Sequence, residues 1–202
     1  MNLADELKGV APTPELSYTL LFPPGWAHFG MTREAEKQLV SNIQEIYQER
    51  GKAELALDLR TRTHVYFSKL RQIGARAIYL PIRRVDDIVL PVSIAAVPYS
   101  VPTGSTILGL ASTLGSGSFE EVQLPQGPAL RAVVDRNRVD KEEGLSSRTI
   151  TYLVPTPGER PRQAVMFSFA ILHLTGEEGT EFVEVLEALF ASIMSTFRWR
   201  HE

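Results

Sequence analysis

Apolar and polar positions follow two rhythms along this chain, a helical one early and at the end and a strand-like one between. Ser17 to Phe22 is a short apolar run that reads as a strand, and Pro23-Pro24-Gly25-Trp26 ends it, because neither proline can donate to a ladder. Thr32 is a helix N-cap, with Glu34 and Glu36 placed to match the dipole of the first turn. Leu39, Ile43, Ile46 and Tyr47 then share one helical face, and Gly51 is a fitting C′ residue. Ala53 to Ile73 carries both rhythms. Leu55, Leu59, Tyr66, Leu70 and Ile73 fit a helical face, while Leu55, Leu57 and Leu59 alternate as in a strand. About twenty residues is too long for an ordinary strand, so the stretch is read as helix and 31–74 as a helical segment.

Past Gly74 the pattern turns to strands. Ala77 to Ile82 and Ile88 to Val97 flank a polar turn, Arg83 to Asp87. In the second run Val92/Ile94/Ala96 and Ser93/Ala95/Val97 are both small or apolar, which predicts a strand covered on both faces. Pro98, Pro102 and Gly104 close it. Ile107, Leu110, Ala111 and Leu114 mark a short helix that ends at Gly115-Ser116-Gly117-Ser118. A meander follows, with strands at Phe119–Leu124, Leu130–Arg136, Arg148–Val154 and Gln163–His173, the last aligning Val165, Phe167, Phe169 and Ile171 on one face. Thr175-Gly-Glu-Glu178 is a capping box. The helix it opens carries a wide apolar stripe of Phe182, Val185, Leu186, Leu189, Phe190, Ile193 and Phe197 that must bury itself on the sheet. The order of elements predicts one α+β domain over 17–202, an antiparallel sheet flanked by helices, behind a flexible leader at 1–16 that holds Pro12 and Pro14.

Composition narrows the function classes. At 202 residues, 44% hydrophobic and 22% charged, the chain is long enough for one well-buried domain. A formal net charge of -3 gives no global field to recruit nucleic acid or an anionic membrane. Arginine outnumbers lysine, as GC-rich coding alone would produce. Cysteine is absent, which excludes disulfides, thiol catalysis and thiolate metal sites. The N-terminus lacks the basic and apolar regions of a signal peptide, and no apolar run reaches the ~18–20 residues of a membrane span, so a cytoplasmic location is the expectation.

Candidate chemistry is sparse. There is no phosphate-binding loop signature, dinucleotide fingerprint, nucleophile elbow or zinc-protease motif, so no cofactor is expected. His28, His64, His173 and His201 show no metal-ligand spacing on one element. His173, at the end of an apolar strand face, reads as a half-buried strand-end residue before a titrating switch. Asp86-Asp87 and Glu120-Glu121 are adjacent carboxylates that a strand would point to opposite faces, so neither is a natural acid/base pair. Gly115 to Ser118 follows a helix instead of opening one, and reads as a connection. Arg131, Arg136, Arg138, Arg148, Arg160 and Arg162 gather in the meander as a possible basic strip. Acidic residues interleave with them, which favours a salt-bridged face over a nucleic-acid site. Trp26 and Trp199 stand as core-edge seals or binding hot spots.

The strand ending in Phe-Pro-Pro-Gly-Trp26, the meander around Gly127–Val134 and Arg148–Val154, and the closing Phe182–Trp199 segment together resemble the PsbP-like α/β/α sandwich, in its LpqN-type and uncharacterised actinobacterial forms. These are packing and turn residues, and they transfer no site residue. The resemblance implies a non-enzymatic binding or adaptor module. PsbP-like and LpqN-type proteins are usually exported, and this chain departs from them in showing no export signal. The docking surface for a protein partner is expected at one of two places, the helix face at 31–50 or the arginine-rich meander edge with Arg131, Arg136 and Arg138. The alternative is a small-ligand binder or enzyme with a pocket between the sheet and the 31–74 helices, lined by Trp26, His64 and Tyr66.

Overall fold

A computed structural model describes residues 17–48, 53–82, 90–101, 104–114, 118–140, 145–174 and 177–200, with side chains described except at 43, 45–48, 53–59, 137–140, 145 and 177–178. Strands β2 (Trp26–Gly30), β3 (Ala77–Pro81), β4 (Val92–Ser100), β5 (Glu120–Leu124), β6 (Gly127–Asp140), β7 (Leu145–Pro155) and β8 (Gln163–Leu174) form a seven-stranded sheet in the order β2-β3-β4-β8-β7-β6-β5. Every neighbouring pair is antiparallel. A separate two-stranded ribbon joins β1 (Tyr18–Thr19) to β9 (Arg198–Trp199). The helices are α1 (Arg33–Gln48), α2 (Ala53–Gln72), α3 (Ile107–Thr113) and α4 (Glu177–Ser195). The fold is α+β.

The sheet has helices on both faces because its central strands are apolar on both. On one face Val165, Phe167, Phe169 and Ile171 of β8, with Ile94 of β4 and Ile150 of β7, bury against Leu186, Phe190, Ile193, Met194 and Phe197 of α4. On the other face Ile78, Ala95 and Val97 meet Leu39 of α1 with Phe67 and Leu70 of α2. Beside them Leu130, Leu153 and Ala164 meet Leu110 and Ala111 of α3. The period-2 alternation of β4 thus feeds two cores at once, as its composition predicts.

Thr32 caps α1 by accepting a hydrogen bond from Ala35 N–H (3.1 Å). The stretch that carried two rhythms is the single helix α2. Its end is a Schellman motif: Gly74 takes φ +76°, its N–H donates to the Arg71 carbonyl, and Ala75 N–H donates to the Leu70 carbonyl. The buried seam of α2 is Phe67 with Leu70, while Ile73 and Tyr66 are exposed, so the face read from the sequence is displaced. The expected residues Ile43, Ile46, Tyr47, Leu55 and Leu59 have side chains outside those described. The Gly51 cap, the Thr175 capping box, the Gly115–Ser116–Gly117 run, the 83–87 turn and the 1–16 leader also lie outside the described residues.

Four details differ from the sequence reading. The chain does not pass from Pro23-Pro24 straight to α1. Gly25, at φ +92°, turns it into β2, an edge strand paired with β3, and Ile82 N–H closes the ladder on the Gly25 carbonyl at 2.7 Å. β2 escaped notice because its five residues hold one large buried apolar side chain, Phe29. β4 does not stop at Pro98 but continues to Ser100, paired with β8. Ala96 accepts from Arg76 N–H on the β3 side, and Pro98 has the same parity two residues on, past the last β3 pair, so its missing N–H costs no ladder bond. The first apolar run is strand only at Tyr18–Thr19, because its partner β9 is two residues long. Val185 of α4 is 64% exposed. At about 100° per residue it stands roughly 100° from Leu186, off the centre of the buried stripe.

Candidate functional site

A group of charged side chains gathers on the outside of the α1–α2 pair. The two helices run antiparallel, so Glu36 near the start of α1 reaches His64 and Arg71 late in α2. His64 Nδ1–H donates to Glu36 Oε1 at 2.6 Å, and Arg71 Nη2 donates to Glu36 Oε2 at 2.7 Å. Glu36 is itself buried, at 9% exposure. Burial pushes its carboxyl up, but the hydrogen bonds from His64 and Arg71 and their charge outweigh that and leave it below the ordinary carboxylate range. Arg71 also lies with its guanidinium carbon 5.9 Å from the centre of the Phe67 ring, and its Nη1 is buried without a hydrogen-bond acceptor.

Around this junction opens a cleft of about 930 Å³, lined by Arg33, Lys37, Val40 and Gln44 of α1 and by Arg60, His64, Ser68 and Arg71 of α2. Helical spacing explains the gathering. Arg33 and Lys37 are four apart on α1, and Arg60 and His64 are four apart on α2. Phe67 and Leu70 anchor α2 to the sheet, which leaves the stripe beside them turned toward α1. Among the described residues four permanent cations, Arg33, Lys37, Arg60 and Arg71, thus face one carboxylate, Glu36. Arg33, Lys37 and Arg60 make no ion pair among the described residues.

The arginines of the meander are placed differently. Arg131 Nη1 donates to Glu120 Oε1 at 2.7 Å, and its Nη2 donates to Glu187 of α4. Arg148 grips Asp135 with two bonds, Nε to Oδ1 at 2.7 Å and Nη2 to Oδ2 at 2.9 Å, and reaches Glu187 Oε2 at 3.2 Å. The hydrogen bond from Arg148 is the main reason that the Asp135 carboxyl sits below its usual range. These side chains bolt β5, β6 and β7 to α4, and they do not form the basic strip considered from the sequence. Arg136 is exposed on the opposite face of β6, since strand neighbours of different parity point apart. The side chain of Arg138 lies outside those described.

The residues of the expected sheet–helix pocket do not converge. Trp26 lies on the α4 side of the sheet, its ring 5.4 Å from that of Phe22. Tyr66 is on the other side, its hydroxyl 3.1 Å from Ser93 Oγ. His64 faces the outer cleft. The reason is geometric: Trp26 shares parity with His28, whose β3 partner is Tyr79, while Ala27 and Phe29 take the α1–α2 side. Trp199 serves packing. It is 7% exposed, and its Nε1–H donates to the Pro155 carbonyl at 3.1 Å. His173 is half-buried, with Nδ1 2.9 Å from the Leu174 carbonyl oxygen. No group of three or more metal-ligating side chains occurs among the described residues.

In the sequence Glu36 stands out only as a first-turn acid, and Arg33, Lys37, Arg60 and Arg71 do not stand out at all. A signal was present: Glu36 precedes Leu39 by three positions, so a carboxylate falls on the apolar face of α1 and needs a cationic partner from elsewhere.

No family model matches the chain, and no curated protein matches it. Among solved structures it is similar to LpqN, which is involved in cell envelope biogenesis of Mycobacterium tuberculosis, with a TM-score of 0.52 and 9% identity over 100% of this chain and 98% of that one. A mutant of the protein Mog1 is also similar, with a TM-score of 0.36 and 15% identity over 60% of this chain and 78% of that one. No helix among the described residues is long and apolar enough to cross a membrane. What the comparison adds to the geometry is architectural: the chain has an LpqN-like α+β fold.

Proposed function

We propose that this protein is a binding module for a protein partner and that the outer face of the α1–α2 pair is its docking surface. The observation that carries the reading is the contrast between two sets of arginines. Arg131 and Arg148 are satisfied within the fold, whereas Arg33, Lys37 and Arg60 line an open cleft and make no ion pair among the described residues. Cations held close to one another repel, and a fold gains nothing from that arrangement unless something else uses it. The sequence resemblance to PsbP-like binding modules supports the same reading. Trp26, His64 and Tyr66, the residues expected to line a small-ligand pocket, occupy three different surroundings.

The test is affinity isolation from native lysate at physiological salt, comparing the natural chain with an Arg33→Glu/Lys37→Glu/Arg60→Glu variant and with an Arg160→Glu/Arg162→Glu variant on the β7–β8 loop. A protein that is retained by the natural chain and the loop variant, and lost with the cleft variant, supports the proposal. If the cleft variant retains the same proteins as the natural chain, the docking surface lies elsewhere.

A further inference from the structure

We infer that the α1–α2 cleft takes an acidic segment of its partner, an extended peptide bearing several Asp or Glu carboxylates; this rests on the docking surface proposed above and names the chemistry it recognises. Three observations carry it. Glu36 is already a carboxylate held by two side chains of the cleft, at 2.6 and 2.7 Å, so the walls are built to donate to that group. Three further cations, Arg33, Lys37 and Arg60, lie along the same walls, with Glu36 the one carboxylate against them among the described residues. Arg71 Nη1 is buried without an acceptor, and a turn of its guanidinium toward an incoming carboxylate would give it one.

Size and lining agree with a peptide. From Arg33 to Gln44 the α1 wall runs eleven steps, or roughly 16 Å at ~1.5 Å per residue, which spans about five residues of extended chain. Ser41, Gln44, Thr61 and Ser68 add uncharged polar groups suited to a peptide backbone, and Val40 is the apolar side chain among them. A nucleic acid fits less well. Among the described residues no aromatic side chain lines the cleft to stack a base, and a chain of net charge -3 repels a long polyanion beyond the cleft itself.

The probe is fluorescein-labelled octaglutamate, followed by fluorescence anisotropy at low salt and by backbone amide NMR shifts. The expected result is saturable binding that weakens as salt rises, with shifts confined to α1 and α2. Neutralising three cations in Arg33→Gln/Lys37→Gln/Arg60→Gln lowers affinity about tenfold, the combined loss of three exposed ion pairs. The Arg160→Gln/Arg162→Gln variant leaves it unchanged. Octaglutamine does not bind. The inference is overturned if octaglutamate shifts no α1 or α2 amide, if the triple variant binds it as well as the natural chain, or if a single-stranded DNA oligonucleotide of equal charge binds the cleft more tightly. Should octaglutamate fail while cleft charge reversal still abolishes capture of a lysate protein, the docking surface stands and its acidic specificity falls. Circular dichroism spectra matching the natural chain show that the Gln variants fold.

Discussion

Phe190→Ala tests the rotation of α4, and with it the packing of the whole sheet. The Phe190 side chain is fully buried. Its ring stacks on Phe169 with centroids 4.3 Å apart and planes 16° from parallel, and it meets Tyr152 edge-on at 5.3 Å. Truncating a core phenylalanine costs about 3–5 kcal/mol, as transfer and residual cavity together. Each aromatic contact adds ~0.5–1.5 kcal/mol beyond area, which places this site in the upper half of that span, about 4–5 kcal/mol. For a chain of this length 1 kcal/mol moves Tm by ~2–4 °C, so the loss is roughly 8–20 °C. The assay is urea unfolding followed by tryptophan fluorescence, with the midpoint falling and the slope unchanged. Val185→Ala is the control: the sequence pattern puts Val185 in the buried stripe, while the structure leaves it 64% exposed, so its cost stays within ~0.5 kcal/mol. A Phe190→Ala cost below about 2 kcal/mol, or a Val185→Ala cost equal to that of Phe190→Ala, would refute this packing of α4.

Other substitutions test other joints. A Cβ on Gly179 would collide with the Leu174 carbonyl oxygen, a backbone atom that cannot move aside cheaply, so Gly179→Ala should lower Tm by several degrees; an unchanged melting curve would contradict the contact between α4 and β8. Trp199→Phe removes the bond to the Pro155 carbonyl and should cost about 1 kcal/mol in urea unfolding, with no change in slope. The folded-state pKa values of Glu36 and Asp135 are depressed, so the stability they contribute is present above the ordinary carboxylate range and is lost as pH falls through their folded values. Urea midpoints of the natural chain should therefore drop as pH falls below ~4, and less steeply in Glu36→Gln. A Glu36→Gln profile parallel to the natural one would show that Glu36 is not held by His64 and Arg71.

The parts of the fold that were legible in the sequence are those where one periodicity acts without competition. β8 is the plainest case, since Val165, Phe167, Phe169 and Ile171 alternate without interruption and all four are buried on one face. β2 and β9 were not legible, because an edge strand of five residues and a ribbon strand of two draw their structure from a partner, and no local pattern encodes the partner. The cleft was half legible. The cations of α1 and α2 stand at helical spacing, but that Glu36 would bring the two rows together depends on how two helices pack. The meander arginines illustrate the reverse. Their acidic neighbours in sequence foretold neutralisation, yet Glu187, which bonds both Arg131 and Arg148, comes from the final helix and could not be paired with them by eye.

The β1–β9 ribbon has a consequence for the order in which the protein can assemble. Tyr18 pairs with Trp199, and its ring packs on Phe167 and Phe197, so the earliest strand finds its partner only after every strand of the large sheet has been synthesised. At roughly 5–20 residues per second a nascent chain carries β1 unpaired for about ten seconds or longer. Helix α4, which lies just before β9, is equally late, and until it arrives the Phe167–Phe169 face of the sheet has no cover. The domain is therefore closed by its final segment. A stalled or prematurely terminated chain would present a bare aromatic sheet face, the form of this protein most open to chaperones and to aggregation.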